Sequence, residues 1–301
     1  MTGPRVPIPV EPPADHPLRV ALARGDLLVA RSSPALLHRL GVADDALLGD
    51  AVIAHVGGMI ADIARQFGPQ SDPGTGLDTE LRDRLARVDG LRDHCHALAL
   101  EWRLTLELEG GQALDPVLAP FLQDAVAGAT GIDDALAMAA LTAQARFAQA
   151  QRRMQLPLGE LPAELFDAAL RAAQASGRID NTEQVRFRQA YQEGDSRLAL
   201  LGRISAESAA GTTEVEALDR TGLALWLSAI AARSGQTRDR VATAAADPQL
   251  GRLLLTLRAA GLAPAEAERQ ALMLHPEALL PRGLHEVGTR EAAQWLAQAS
   301  L

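Results

Sequence analysis

The sequence has no lysine, a single cysteine and very few aromatic residues. All 29 basic residues are arginine, and aromatic residues make up only 3% of the chain. One cysteine, Cys95, can form neither an internal disulfide nor a multi-thiolate metal site. With so few large rings, the core must be built from Leu, Ala, Val and Ile. No run approaches the roughly 18 uninterrupted apolar residues of a membrane span, so we expect a cytoplasmic protein.

β-branched residues are also scarce. The chain has 14 Val, 8 Ile and 14 Thr, against long tracts of Ala, Leu, Glu, Gln and Arg, which lose little side-chain entropy in a helix. The composition therefore predicts an all-α protein. Helical segments of about 10–14 residues separated by short breaks are typical of antiparallel helix pairs. We expect either a multi-helix bundle or an irregular α-solenoid built from such pairs.

The charge is negative overall but unevenly distributed. The formal net charge is −9, and residues 1–145 alone carry −9, whereas residues 146–203 carry +2. An acidic chain lacks the basic footprint of a nucleic-acid-binding protein.

The basic middle of the chain predicts a surface for a protein partner or an anion, because guanidinium groups bind carboxylates and phosphates bidentately. The alternatives are a solvated face and pairing with the acidic N-terminal half. The predicted surface consists of Arg146, Arg152, Arg153, Arg186 and Arg188.

Proline and glycine divide the chain into segments. Residues 1–17 contain six prolines and no helix pattern, which fits either a flexible tail or an arm that docks on a partner or a second copy. The segment LPLGELP at 156–162 interrupts the helical pattern with two prolines and a glycine. We therefore expect an N-terminal helical domain at 18–160 and a C-terminal one at 161–301.

Single residues predict several helix boundaries. Pro162, Thr237 and Pro264 are expected to begin helices, and Gly235 is expected to end one.

Several short motifs also predict where helices begin or are interrupted. Ser33-Pro34 and Asp247-Pro248 each combine a capping residue with proline in the first helical position. Thr130 with Asp133 resembles a capping box. Gly57-Gly58 is expected to interrupt a helix and to allow a neighbouring helix to approach closely.

One segment gives conflicting signals. Between residues 98 and 109, leucine and tryptophan alternate with polar residues, which is a strand pattern. The residues themselves are Leu, Glu and Arg, which favour helix. We predict a largely buried helix here, and a β-hairpin ending at Gly110-Gly111 is the alternative.

The helix after Asp133 has the most regular pattern in the chain. Large and small apolar residues alternate on one stripe, namely Leu136, Ala140, Ala143, Phe147, Ala150 and Met154. This stripe predicts close packing against another helix, or alternatively the contact surface of a homo-oligomer.

Two groups of histidines could suggest metal binding. His94, Cys95 and His96 are consecutive, but on a helix consecutive side chains point about 100° apart and cannot share a metal ion. His275 and His285 match no established ligand spacing.

Phosphate-binding loops, nucleophile elbows and dinucleotide fingerprints are missing from the sequence. We therefore assign no catalytic, cofactor-binding or metal-ligating residue.

Two stretches resemble a known family. The segments AQARFAQAQRRMQLPLGELPAELFDAAL (143–170) and LSAIAARSGQTRDRVATAAADPQLGRLLLTLRAAGL (227–262) are similar to a bacterial family of uncharacterised proteins, domain of unknown function 2336. The resemblance implies an all-helical, partly HEAT-like fold and transfers no site residue.

Two functions follow as hypotheses. The first is a non-enzymatic helical protein that binds or regulates other proteins, because helix stacks offer broad surfaces. The alternative is a helical enzyme or small-ligand sensor with a pocket between the two halves.

Overall fold

Helices make up all of the repeating secondary structure in the part of the chain that the structure describes. The structure is a computed structural model, and it describes residues 16–38, 47–68, 77–208 and 216–299. These residues form fourteen α-helices and no strand, which confirms the all-α prediction. Residues 1–15 of the predicted arm lie outside the described residues. The helices are α1 Pro17–His38, α2 Asp50–Gln66, α3 Leu77–Ala86, α4 Leu91–Gln112, α5 Pro120–Val126, α6 Asp134–Gln151, α7 Ala163–Ala175, α8 Asn181–Ala190, α9 Arg197–Ser208, α10 Leu218–Ser234, α11 Arg238–Ala246, α12 Gly251–Ala259, α13 Pro264–Leu274 and α14 Thr289–Gln298.

Two hydrophobic clusters hold the helices together. The larger one combines residues of α1 to α4 with residues of α7 and α10 to α14. The smaller one joins α5, α6 and α9 to one face of α10. Helix α4 packs against α11, and α1 packs against α12. Both clusters contain residues from each side of the predicted 160/161 boundary, and the division into two domains stays a prediction.

The ambiguous segment at 98–109 is helical. It lies within α4, which contacts α2, α11, α10, α13 and α3. Because neighbours surround this helix, residues of both alternating sets are buried, including Leu98, Ala99, Leu100 and Glu101. A helix enclosed on several sides does not show the one-sided apolar pattern of a surface helix, and this explains the conflicting sequence signal.

Most helix ends lie where the sequence predicts them. Pro162 precedes α7, and Pro264 occupies the first position of α13. Thr237 caps α11 by accepting a hydrogen bond from the Arg240 amide. Gly235 follows α10 with a φ of 71°, a left-handed conformation that favours glycine.

Three predicted helix starts are wrong. Helix α1 continues through Ser33-Pro34. Helix α6 is capped by Asp133, which accepts from the Ala135 amide, and not by Thr130. The reason is that Gly131 lies between them with a φ of 78°, which is incompatible with a right-handed helical turn. Helix α12 begins at Gly251 and not at Pro248, because Leu250 has a φ of 60° and separates the Asp247 turn from the helix.

The Gly57-Gly58 pair lies inside α2 and does not interrupt it. The predicted close approach occurs at Gly58 only, and the neighbour is the turn after α6, not another helix. A Cβ atom on Gly58 would lie 2.6 Å from the Cβ atom of Met154, whereas one on Gly57 would have no neighbour within 4 Å. The two glycines therefore differ in their surroundings although they are adjacent on one helix.

This difference gives a matched pair of substitutions. Gly57→Ala should raise the free energy of unfolding by about 0.5–1 kcal/mol, because alanine loses less backbone entropy in a helix. Gly58→Ala should lower it by about 1–3 kcal/mol, because the new methyl group forces the Met154 turn outward. Urea denaturation of both variants measures the two changes. Equal effects at the two positions would contradict the described contact.

Candidate interaction surface and the charge network beneath it

The interior holds a charged network that joins four helices. Glu101 of α4 accepts hydrogen bonds from Arg197 of α9, with Nη1 2.7 Å from Oε1 and Nη2 3.1 Å from Oε2. Arg238 of α11 donates to the same carboxylate at 2.9 and 2.8 Å. Gln144 of α6 accepts from Arg197 at 3.2 Å. Glu101 is 1% exposed and Arg197 is fully buried, so these bonds are shielded from water.

The network keeps its charges in spite of burial. Burial by itself would raise the pKa of Glu101, but Arg197 and Arg238 outweigh it and hold the pKa well below its usual range. One carboxylate faces two guanidinium groups, so one positive charge is in excess. The ring of Phe147 lies against Arg197, with its centroid 3.5 Å from Cζ, and its π face stabilises that charge.

Helix α6 connects this network to the protein surface. Its inner face carries Gln144 and Phe147, which contact Arg197. The predicted apolar stripe packs against α5 and α9, with Leu136, Ala140, Ala143 and Phe147 buried. These four residues of the stripe pack inside the chain, as the first of the two predictions for it has it. A homo-oligomer stays a prediction.

The segment after α6 is fixed to α2. Gln151 is buried, and its side-chain oxygen lies 2.8 Å from Nε2 of His55. Asp62 accepts from the Leu156 amide at 3.0 Å, and Gln66 accepts from the Leu158 amide at 2.9 Å. These contacts position the exposed residues that follow Gln151, namely Arg152 and Arg153.

We call the five predicted residues Arg146, Arg152, Arg153, Arg186 and Arg188 the arginine surface. All five are exposed, with the first three on or just after α6 and the last two on α8. Arg188 pairs with Asp167 of α7 at 3.2 Å. Among the described residues, no carboxylate forms a salt bridge with the other four.

A groove of about 330 Å³ brings Arg146 close to the end of α8. It is lined by Arg146, Pro157, Glu160, Ala190 and Asp195, among other residues. Two of these residues are acidic, but Glu160 already accepts a hydrogen bond from the Arg197 amide. The structure thus places Arg146 near α8, which carries Arg186 one turn before Ala190. It gives no direct contact between the arginines of the two helices.

Helix α8 is peripheral. It has no buried residue, and Phe187 contacts the ring of Phe67 at a centroid distance of 5.3 Å. A full capping box of Asp180 and Glu183 stabilises its first turn. The exposed side carries Arg186 and Val185, the latter 50% exposed.

The consecutive His94, Cys95 and His96 point to different partners. Nδ1 of His94 lies 2.8 Å from Asp239, and Nε2 of His96 lies 2.7 Å from the Leu47 carbonyl oxygen. Burial raises the pKa of the Cys95 thiol to about 12, so the thiolate nucleophile is not populated at neutral pH. The two histidines thus contact different parts of the chain.

The C-terminal histidines are also separated. His275 bonds to the Ala245 carbonyl oxygen at 2.7 Å, whereas His285 lies 3.5 Å from Glu268. Within the described ranges, no group of three or more His, Cys, Asp or Glu residues could hold a metal ion.

A small cleft adjoins the charge network between the two sequence halves. It is lined by Thr105, Gln144, Leu201 and Gly222, among others, and has a volume of about 20 Å³. This is room for about one water molecule, whereas small-molecule sites occupy roughly 300–1,000 Å³. The cleft is thus too small for an organic ligand.

Comparison with known proteins finds no matching family model, no similar curated protein and no similar solved structure. The resemblance to domain of unknown function 2336 remains a prediction. No helix in the described ranges combines the length and apolar composition needed to cross a bilayer.

The sequence reasoning missed the charge network. Glu101 is separated from Arg197 by 96 residues and from Arg238 by 137. The one local signal is Glu101 itself, a charged residue between Leu100 and Trp102 in a segment that is buried on several sides. A charge in such a position requires a partner, although the sequence does not say which.

The network predicts a large loss of stability on Glu101→Gln. Both guanidinium groups would stay buried without a carboxylate, so the free energy of unfolding should fall by about 3–5 kcal/mol. Glu80→Gln is the matched control, because Glu80 forms an exposed pair with Arg84 at 2.9 Å, typically worth about 0–1 kcal/mol. Chemical denaturation measures both. A loss for Glu101→Gln as small as the control's would contradict the network.

The His55 contact predicts acid sensitivity. Burial lowers the pKa of His55 despite its hydrogen bond to Gln151, so the unfolded chain binds the proton first as the pH falls through about 6.5. The stability contribution is full above that pH and declines below it. Thermal unfolding at pH 7.5 and 5.5 should show a smaller pH-dependent loss for His55→Asn than for the wild type. An unchanged pH dependence would refute this assignment.

Proposed function

We propose that the chain is a non-enzymatic helical interaction protein that binds an acidic segment of another protein through the arginine surface. The observation that carries this proposal is the charge along α6 and the turn after it. Arg146, Arg152 and Arg153 are exposed there, and the 25 residues from 135 to 159 contain no Asp or Glu. In a chain of net charge −9, this is the longest stretch without an acidic residue.

The arginines of this stretch retain their hydrogen-bonding capacity for a partner. Some other arginines are engaged by neighbouring carboxylates, as Arg84 is by Glu80 at 2.9 Å and Arg220 by Asp124 at 2.8 Å. A guanidinium group offers five N–H donors in a planar fork that matches a carboxylate. Arg146, Arg152 and Arg153 can therefore bind carboxylates supplied from outside.

Exposed apolar side chains accompany these arginines. Met154, directly after Arg153, is 42% exposed, and Val185, directly before Arg186, is 50% exposed. Arginine and methionine are enriched in protein–protein interfaces. Arginine with adjacent apolar area favours an acidic amphipathic segment over a simple inorganic anion.

A nucleic acid is disfavoured as the partner because a polyanion would be repelled by the acidic remainder of the chain. The cleft between the halves has a volume of only about 20 Å³, which weighs against a small-molecule site there. The exposed arginines of α6 and of the turn after it thus support protein binding best.

The test uses a short fluorescent peptide of Glu-Glu-Leu repeats. The triple variant Arg146→Gln/Arg152→Gln/Arg153→Gln should bind it about tenfold more weakly than the wild type, since each of three exposed pairs contributes about 0.5 kcal/mol. The wild-type affinity should also fall with added salt. Fluorescence anisotropy measures both effects.

The matched control is Arg84→Gln/Arg220→Gln/Arg269→Gln. It removes the same number of charges, but each of its arginines pairs with a carboxylate of the chain itself. The control should bind the peptide as the wild type does. Equal losses in the two triple variants would sink the proposal, and so would tighter binding of an oligonucleotide than of the acidic peptide.

A further inference from the structure

The groove of about 330 Å³ beside Arg146 adjoins the charge network. The ring of Phe147 lines the groove, and the same ring lies against the buried Arg197, with its centroid 3.5 Å from Cζ. The volume is at the lower end of the range for ligand sites. The arginine surface therefore borders a space large enough for side chains of a docked segment.

The turn after α8 supplies a carboxylate to this groove. Asp195 is exposed and lines the groove together with Arg146. The two side chains form no salt bridge with each other or with any other described residue. One groove thus offers a guanidinium group and a carboxylate group, and both can bind groups from outside.

Contacts on both sides hold Asp195 in position. Two residues before it, Glu193 accepts a hydrogen bond from the Ala163 amide at the start of α7 at 3.1 Å. Two residues after it, Arg197 is fully buried in the charge network. The carboxylate is therefore placed before a ligand arrives, which lowers the entropy cost of binding.

The charge of the groove is mixed. Glu160 also lines it, so the lining has one basic and two acidic residues and a formal charge of −1. Glu160 accepts a hydrogen bond from the Arg197 amide at 2.8 Å, but a neutral amide leaves the negative charge in place. A segment with acidic residues only would bring its carboxylates close to Glu160 and Asp195, and like charges in contact oppose binding.

We infer that the acidic segment bound by the arginine surface also carries a basic residue, which Asp195 binds in this groove while Arg146 binds a carboxylate of the segment. The requirement rests on the proposed function, because it adds one feature to the same partner. Both signs of charge in the groove are then matched. An exposed ion pair is weak, so this contact selects between acidic segments and does not replace the arginine contacts.

Variants of the fluorescent Glu-Glu-Leu peptide test this feature. Lysine replaces each glutamate of the peptide in turn, and glutamine at the same position is the matched control. At one or more positions the lysine peptide should bind the wild-type protein about twofold tighter than the glutamine peptide, as expected for one exposed ion pair. Attraction to the arginines alone gives the opposite order at every position. Fluorescence anisotropy measures the affinities.

Two protein variants separate the groove from the acidic charge of the whole chain. Asp195→Asn should abolish the advantage of lysine, because it removes the carboxylate and keeps the size of the side chain. Glu277→Gln is the matched control, since Glu277 is exposed and lines a different groove. It removes the same charge elsewhere and should retain the advantage.

Lysine that binds no tighter than glutamine at any position would overturn the inferred contact. An advantage that survives in Asp195→Asn, or that Glu277→Gln also removes, would overturn it as well. The proposed function is judged separately, by the original peptide and the arginine triple variant. If that variant weakens binding but lysine brings no gain, only the contact with Asp195 is wrong. If the triple variant binds the original peptide as the wild type does, both proposals are wrong.

Discussion

The arrangement of the helices depends on one buried carboxylate. Glu101 of α4 is held by Arg197 of α9 and Arg238 of α11 at 2.7–3.1 Å, and Gln144 brings α6 into the same network. Apolar packing alone specifies orientation poorly in a chain of alanine and leucine helices, because such surfaces can be interchanged at small cost. Hydrogen bonds to buried charges have no such tolerance, since a misplaced helix would leave a charge without its partner. We infer that the network selects this helix packing from its apolar alternatives.

The same network explains the position of the candidate surface. Helix α6 contacts Arg197 with Gln144 and Phe147 on its inner face, and Arg146 is exposed on its outer face. Gln151, bonded to His55, holds the end of that helix against α2. Arg146, Arg152 and Arg153 thus lie on a helix, and on the turn after it, that several buried contacts hold in place. Their positions are set before a partner arrives, which reduces the entropy cost of binding.

Local sequence signals predicted the helices well because helix boundaries depend on a few neighbouring residues. Pro162, Gly235, Thr237 and Pro264 all act within one turn. The wrong predictions occur where a second constraint also determines the position at which a helix begins. Gly251 starts α12 at the point where that helix crosses α1, and a Cβ atom there would lie 2.6 Å from the Ala21 carbonyl carbon. The sequence around residue 251 does not predict a contact with residue 21.

Charge counting along the sequence selected five arginines that the fold exposes but missed the network, and Arg197 shows why. It contributes to the net charge of +2 in residues 146–203, yet it is fully buried and neutralised by Glu101 from the acidic N-terminal half. This ion pair is the predicted contact between the basic middle and the acidic N-terminal half. It involves an arginine outside the arginine surface, and it lies in the core. Three of the five, Arg146, Arg152 and Arg153, are distinguished by the acid-free stretch from 135 to 159. Surface charge therefore follows from which residues the fold buries and not from segment totals.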